Sequence, residues 1–108
     1  MIHDDPGQPP RPSALTLEEL RTVLDSAELR RTLFFSRHAR LRSSDRNITY
    51  EDVVQVCLTG GFNRAPRYEN ENWKYEVKGK DLDEGLTTVV IAVDNDVDKC
   101  WVTIITVF

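Results

Sequence analysis

From Thr16 onward the apolar residues fall at helical spacing. Leu17, Leu20, Val23, Leu24 and Ala27 share one side of a helix that the pattern carries to about Arg30. Thr16 with Glu19 three residues on forms a capping box at its start, because each side chain satisfies a backbone donor of the other. Thr32 to Ser36 is a short apolar run suited to a strand or an extended lead-in. Arg37 to Asp45 reads as a short helix, broken by Asn47-Ile48-Thr49. Thr49 then stands as the N-cap of another helix, with Asp52 at its third position and Val53, Val56 and Cys57 as its buried stripe. Gly60-Gly61 is expected to end it through a left-handed C-cap.

After Gly61 the period changes. Asn63 to Asn72 is polar and contains Pro66, so it predicts a loop or an irregular edge strand. Trp73 to Val77 alternates as a strand, and Gly79 to Gly85 supplies turn residues. Leu86 to Val93 is β-branched and largely apolar, the pattern of a central strand buried on both faces. Asp94 to Asp98 predicts a polar turn, and Cys100 to Phe108 a last strand. Two or three helices followed by a meander of antiparallel strands define an α+β fold. Residues 1–14 hold four of the five prolines and no apolar period, so they are expected to form a flexible tail on a single domain spanning 15–108.

Composition narrows the class. With 40% hydrophobic and 30% charged residues, the 108-residue chain can bury a core without metal or disulfide. Cys57 and Cys100 lack CxxC spacing and lie among apolar residues, as small buried thiols of a reducing cytoplasm do. No apolar run approaches membrane-spanning length, and no signal-peptide pattern opens the chain. The net charge is −4, yet Arg30, Arg31, Arg37, Arg40, Arg42 and Arg46 against Asp45 give the 30–46 segment +5 and leave −9 to the rest. Such a segment attracts phosphate locally, or docks an acidic protein.

The same segment carries the candidate chemistry. His38 is followed by Arg42 and Arg46, spacings that put the three near one helix face. Cleavage of RNA without metal needs a base for the ribose 2′-hydroxyl and an acid for the leaving 5′-oxygen, and an imidazole suits either task. Guanidinium forks stabilise the added charge of a pentacoordinate phosphate. The plainer alternatives are a histidine that fixes a helix start and arginines that pair with acids of the hairpin turns. Arg37 and Arg40 are expected elsewhere on the helix as general electrostatic contributors.

In the strand half, Lys74 and Lys78 share strand parity and are candidates to face RNA, with Tyr75 beside them; lysines on an edge strand also guard against aggregation. Asp94, Asp96 and Asp98 imitate the first ligands of a calcium loop. Lys99 stands where that loop requires glycine and Ile105 where it requires glutamate, so a polar turn is the expected reading. No zinc spacing, nucleophile elbow or phosphate-cradling glycine loop occurs, and no metal or cofactor is expected.

Leu33 to Phe108 resembles a bacterial family known as domain of unknown function 4258, on an ordered set of motifs. These are Ser36 to Ala39, Arg42, Arg46, Ile48 to Val53, Gly60, Tyr75 to Asp81, Thr88 to Asp94 and Ile105 to Phe108. The resemblance implies a fold like that of RelE-type toxins and barnase, with helices on one face of a curved, mainly antiparallel sheet of about four strands. It further implies a ribonuclease toxin that cuts RNA without metal and is neutralised by a cognate antitoxin. His38, Arg42 and Arg46 would be its catalytic group, with Arg37, Lys74, Tyr75, Lys78 and Thr106 binding substrate. The Thr106 hydroxyl is placed at the pocket by this resemblance, and by β-propensity alone otherwise. The acidic balance departs from the usually basic RelE-type toxins, and a non-catalytic protein-interaction module on the same scaffold is the alternative.

Overall fold

The computed structural model describes residues 13–94 and 100–108, so the tail before Ser13 and most of the turn expected over Asp94–Asp98 lie outside the described residues. The elements follow as α1 (Leu17–Arg30), β1 (Leu33–Phe35), α2 (Arg37–Asp45), α3 (Tyr50–Thr59), β2 (Gly61–Phe62), β3 (Arg67–Glu69), β4 (Asn72–Lys80), β5 (Leu86–Val93) and β6 (Val102–Val107). Three helices pack on one six-stranded sheet, ordered β1-β6-β5-β4-β2, with β3 also paired to β4. β1 runs parallel to β6, and every other pair is antiparallel. The α+β class holds, on a mixed sheet larger than the four strands expected. The additional strands are short: β2 has two residues and β3 three, too few to show a period of two.

Strand alternation sorts the sheet into two faces. Tyr75 and Val77 of β4, Val89, Ile91 and Val93 of β5, and Val102, Ile104 and Val107 of β6 enter the core with Leu20, Leu24 and Ala27 of α1 and Val53, Val56 and Cys57 of α3. Each such aliphatic side chain contributes about 1.5–3 kcal/mol by leaving water. Ile104 and Val107 both point inward although three positions separate them. A register shift at Val90/Ile91 leaves Ile105 as the extra residue of a bulge in β6. The opposite, open face carries Lys74, Glu76 and Lys78 of β4, Thr88, Val90 and Ala92 of β5, and Thr103 and Thr106 of β6, cross-strand neighbours in the ladder, with Glu76, Thr88 and Val90 buried among them.

Both capping boxes form, Thr16 with Glu19 and Thr49 with Asp52. Arg21 on α1 donates to the carbonyl of Gly60 at the end of α3, a cation placed where the helix dipole is negative. Leu15 anchors the chain ahead of α1, its N–H donating to the Tyr75 hydroxyl at 2.9 Å.

Gly60 is not the left-handed cap expected. Its φ of −76° and ψ of −179° are extended, and the α3 C-terminus instead needs glycine for closeness. A Cβ on Gly60 would lie 2.6 Å from the Lys78 carbonyl oxygen and 2.7 Å from that of Val56, and one on Gly79 would lie 2.8 Å from the Gly60 Cα. Backbone therefore meets backbone where α3 crosses β4, and neither side can yield by rotating a side chain. Gly60→Ala is expected to cost about 1–3 kcal/mol, read from the urea midpoint.

The turn expected from Gly79 is also shorter than its residues imply. Gly79 and Lys80 still pair with Thr87 and Leu86. The reversal is held by the Asp81 carboxylate, which accepts from the N–H groups of Asp83 and Gly85 and from the Thr87 hydroxyl. The β3–β4 reversal uses Asn70 and Glu71 at φ 53° and 65°, the left-handed pair of a two-residue hairpin turn.

Both cysteines are free, Cys57 buried and Cys100 half-buried. Burial pushes the Cys57 thiol up to about 12. Alkylation of the native protein at pH 8 is expected to spare Cys57 until denaturant is added, as peptide mass spectrometry would show.

Candidate functional site

Ser36 positions the basic segment. As N-cap of α2 its hydroxyl accepts from the Ala39 N–H at 3.0 Å and donates to the Ile105 carbonyl at 2.7 Å, while its own N–H donates to the Ile104 carbonyl at 2.9 Å. The β6 bulge thus turns a carbonyl outward, and the cap of α2 takes it. The helix spans Arg37–Asp45 as its residues predict, with Arg46 as the C-cap and Ala39 and Ser43 as its buried line.

At 3.6 residues per turn, His38 and Arg42 each precede a residue of that line by one step, and Arg40 and Ser44 each follow by one. The two pairs therefore occupy opposite flanks. On the Arg40 flank, Arg40, Ser43, Ser44, Phe35, Ile48 and Tyr50 line a groove of about 420 Å³ that reaches the start of α3. The His38 and Arg42 flank lies on the other side of the buried line, away from that groove. His38, Arg37, Arg40, Arg42 and Arg46 are all exposed. Arg64 pairs with Glu76 at 3.9 Å and Arg67 with Glu69 at 3.5 Å, and among the described residues no acid of the β4–β5 hairpin turn forms an ion pair with Arg37, Arg40, Arg42 or Arg46.

The structure groups some of the expected site residues and separates others. His38 and Arg42 share a flank, with Arg46 one turn further on. Arg37 lies about 100° around the helix from His38, off that flank. Lys74, Lys78 and Thr106 share the open face, where Thr106 sits opposite Val90 and Lys78 opposite Thr88. Tyr75 does not belong with them. It is 1% exposed and stacked against Phe62, because alternation sends it to the face opposite Lys74. Burial raises its phenol above the ordinary tyrosine value, so it stays neutral inside the core.

Two residues that carry no expectation as site residues stand out. Phe34 and Trp101 are 46% and 51% exposed, with rings 6.1 Å apart at 78°. Together with Asn72, Ala92, Val93, Asp94 and Thr103 they line a hollow of about 160 Å³ on the open face. The available signal was parity: Leu33 and Phe35 pack on the core, which sends Phe34 the other way. Among the described residues, no cluster of three or more His, Cys, Asp or Glu side chains could hold a metal ion. No described helix is long and apolar enough to cross a membrane.

Neither the curated proteins nor the solved structures contain a match to this chain. One family model does match, over residues 35–108, a span that begins at the end of β1 and takes in α2 and the rest of the sheet. The chain belongs to the family described as Domain of unknown function (DUF4258).

Proposed function

We propose that the protein is a metal-independent endoribonuclease, the toxin half of a toxin–antitoxin pair acting in the cytoplasm. One observation carries the reading: an exposed imidazole and the Arg42 guanidinium lie on one flank of a short helix, with Arg46 at its end and no carboxylate partner for either arginine among the described residues. In that role His38 takes the 2′-hydroxyl proton or delivers a proton to the 5′-oxygen. The 2′-oxygen attacks phosphorus, the bond from phosphorus to the 5′-oxygen breaks, and that oxygen leaves as a hydroxyl, with solvent water making whichever of the two proton transfers His38 does not. The products are a 2′,3′-cyclic phosphate and a 5′-hydroxyl end. Arg42 and Arg46 hold the phosphate oxygens as charge builds on them. Lys74 and Lys78 draw the strand across the open face, and Thr106 offers a hydroxyl there. The test is incubation of the purified chain with end-labelled RNA in chelator, expecting fragments that end in a cyclic phosphate. Intact RNA at high protein concentration would sink the reading.

The groove on the other flank favours a second reading, a non-catalytic interaction module. Ser43 Oγ is buried and has no hydrogen-bond partner among the described residues, and apolar Phe35, Ile48 and Tyr50 line the groove beside the Arg40 cation. An acidic partner segment with an apolar face fits that chemistry. Under the leading reading the same groove is where an acidic antitoxin docks. A stable protein partner recovered together with unarrested growth on expression would favour the module.

A further inference from the structure

Phe34, Thr103, Ala92, Lys74 and Arg67 are consecutive cross-strand neighbours, a single row over β1, β6, β5, β4 and β3. At the usual strand spacing the row is roughly 19 Å long. Aromatic rings stand at one end and a guanidinium at the other, with an ammonium between them and the small side chains of Thr103 and Ala92 forming the floor.

Neither Phe34 nor Trp101 belongs to the core cluster, and about half of each ring faces water. Leaving such area exposed is unfavourable, and two large rings side by side on a sheet face mark a binding surface. Their geometry narrows the occupant. The rings stand nearly perpendicular at 78°, so a planar group can lie against the face of one and the edge of the other. The hollow they line, about 160 Å³, suits one planar ring system rather than a helix or a folded surface.

Charge narrows it further. On β4 the open face presents Lys74, Lys78 and Lys80, and Arg67 follows on β3 in an exposed ion pair with Glu69 at 3.5 Å, a contact a phosphate can replace. Glu76 stands among them but is 7% exposed, accepts from the Asn63 amide at 2.7 Å, and has Arg64 at 3.9 Å. Its charge is thereby taken up locally, and the exposed side chains of this strand face are cationic. A notch with two ring faces, bordered by the Asn72 amide and the Asp94 carboxylate and followed by a line of cations, fits a polyanion whose flat groups are free to turn outward. Single-stranded nucleic acid has that form, whereas a duplex keeps its bases stacked and paired.

We propose that the Phe34–Trp101 notch is a base-stacking subsite for single-stranded RNA, with Lys74 and Arg67 carrying the strand onward over the sheet. The choice of RNA rests on the ribonuclease reading, and it gives that site a second point of attachment at β1 and β6, on the face opposite the core. The notch holds a base, and the cations hold phosphates.

The test uses the full chain and a short single-stranded RNA carrying 2′-O-methyl at every ribose, which no 2′-hydroxyl mechanism can cleave. Fluorescence anisotropy at fixed salt is expected to show binding that Trp101→Ala and Phe34→Ala each weaken about tenfold. Trp101→Phe should stay within threefold of the parent, because it keeps a stacking face. An abasic strand of equal length should bind weakly and be indifferent to these substitutions. Unchanged affinity in a Trp101→Ala variant that melts like the parent would overturn the proposal, as would equal binding of the abasic strand. A protein partner lost on Trp101→Ala, with no RNA bound, would also overturn it. Because the probe cannot be cut, these outcomes are separate from the cleavage test. Binding without any nuclease activity would retire the enzyme and keep the notch, and cleavage by a binding-neutral Trp101→Ala would do the reverse.

Discussion

His38→Ala is expected to slow RNA cleavage by about 10²- to 10⁴-fold, the usual range for removing a positioned proton-transfer group. The exposed position makes this a clean experiment. His38 makes no hydrogen bond or ion pair among the described residues, and its substitution leaves the buried Ala39–Ser43 line untouched. Thermal stability should therefore stay within about 0.5 kcal/mol of the parent, as for other exposed substitutions. Added imidazole is expected to restore part of the rate in the alanine variant, an effect that a structural histidine would not show. Arg42→Ala should lose about 10²- to 10³-fold without such rescue, since a transition-state cation is removed and not a proton carrier. A His38→Ala protein that cleaves like the parent would show that α2 is only a binding helix.

The second large effect falls on stability. Asp52 ties two parts of the fold together. One oxygen accepts from the Thr49 N–H at 2.9 Å in the α3 capping box, and the other accepts from the Leu82 N–H at 3.0 Å in the β4–β5 turn. Asp52→Ala removes a cap and strands two backbone donors, one of them in a tight turn. About 3 kcal/mol is expected from those losses, or a fall in Tm of roughly 10–20 °C for a domain of this size. Asp52→Asn should recover part of it by retaining an acceptor oxygen.

The same carboxylate makes the fold acid-sensitive. Its pKa is lowered, chiefly by the Thr49 backbone hydrogen bond, with the Leu82 N–H adding to that and burial opposing it. A depressed folded-state pKa means that the stabilisation is complete above the unfolded aspartate value of about 4. It is lost as pH falls through the lower folded value. Urea midpoints measured from pH 6 down to pH 2 should drop less steeply for Asp52→Asn than for the parent.

The helices were legible because their ends are written in side chains. Thr16 with Glu19, Ser36, and Thr49 with Asp52 each stop or start a helix by local hydrogen bonds, which need nothing from the rest of the chain. The short strands were not legible. Gly61–Phe62 and Arg67–Glu69 are strands only because β4 lies alongside them, and that pairing has no local signature. Gly60 illustrates the same limit: a glycine after a helix reads as a left-handed cap, whereas here the demand comes from Lys78, distant in sequence. At the site, the basic flank of α2 followed from spacing alone. Tyr75 was misplaced among the substrate contacts although its neighbour Lys74 already implied the opposite face. Phe34 and Trp101 were absorbed into apolar runs, because hydrophobicity alone does not say which face of a sheet a ring will take.

The pairing of β1 with β6 bears on how the molecule is made. Leu33–Phe35 contacts Val102–Ile104 in parallel, and Ser36 fastens α2 to the carbonyls of Ile104 and Ile105. A nascent chain emerging in order from the ribosome holds α2 long before the strand that anchors it. Closing so wide a loop comes late and slowly compared with the neighbouring β4–β5 hairpin. The basic helix therefore stays unmoored until β6 has been made. A protein whose proposed substrate is RNA would acquire its working geometry only once β6 has emerged and paired with β1.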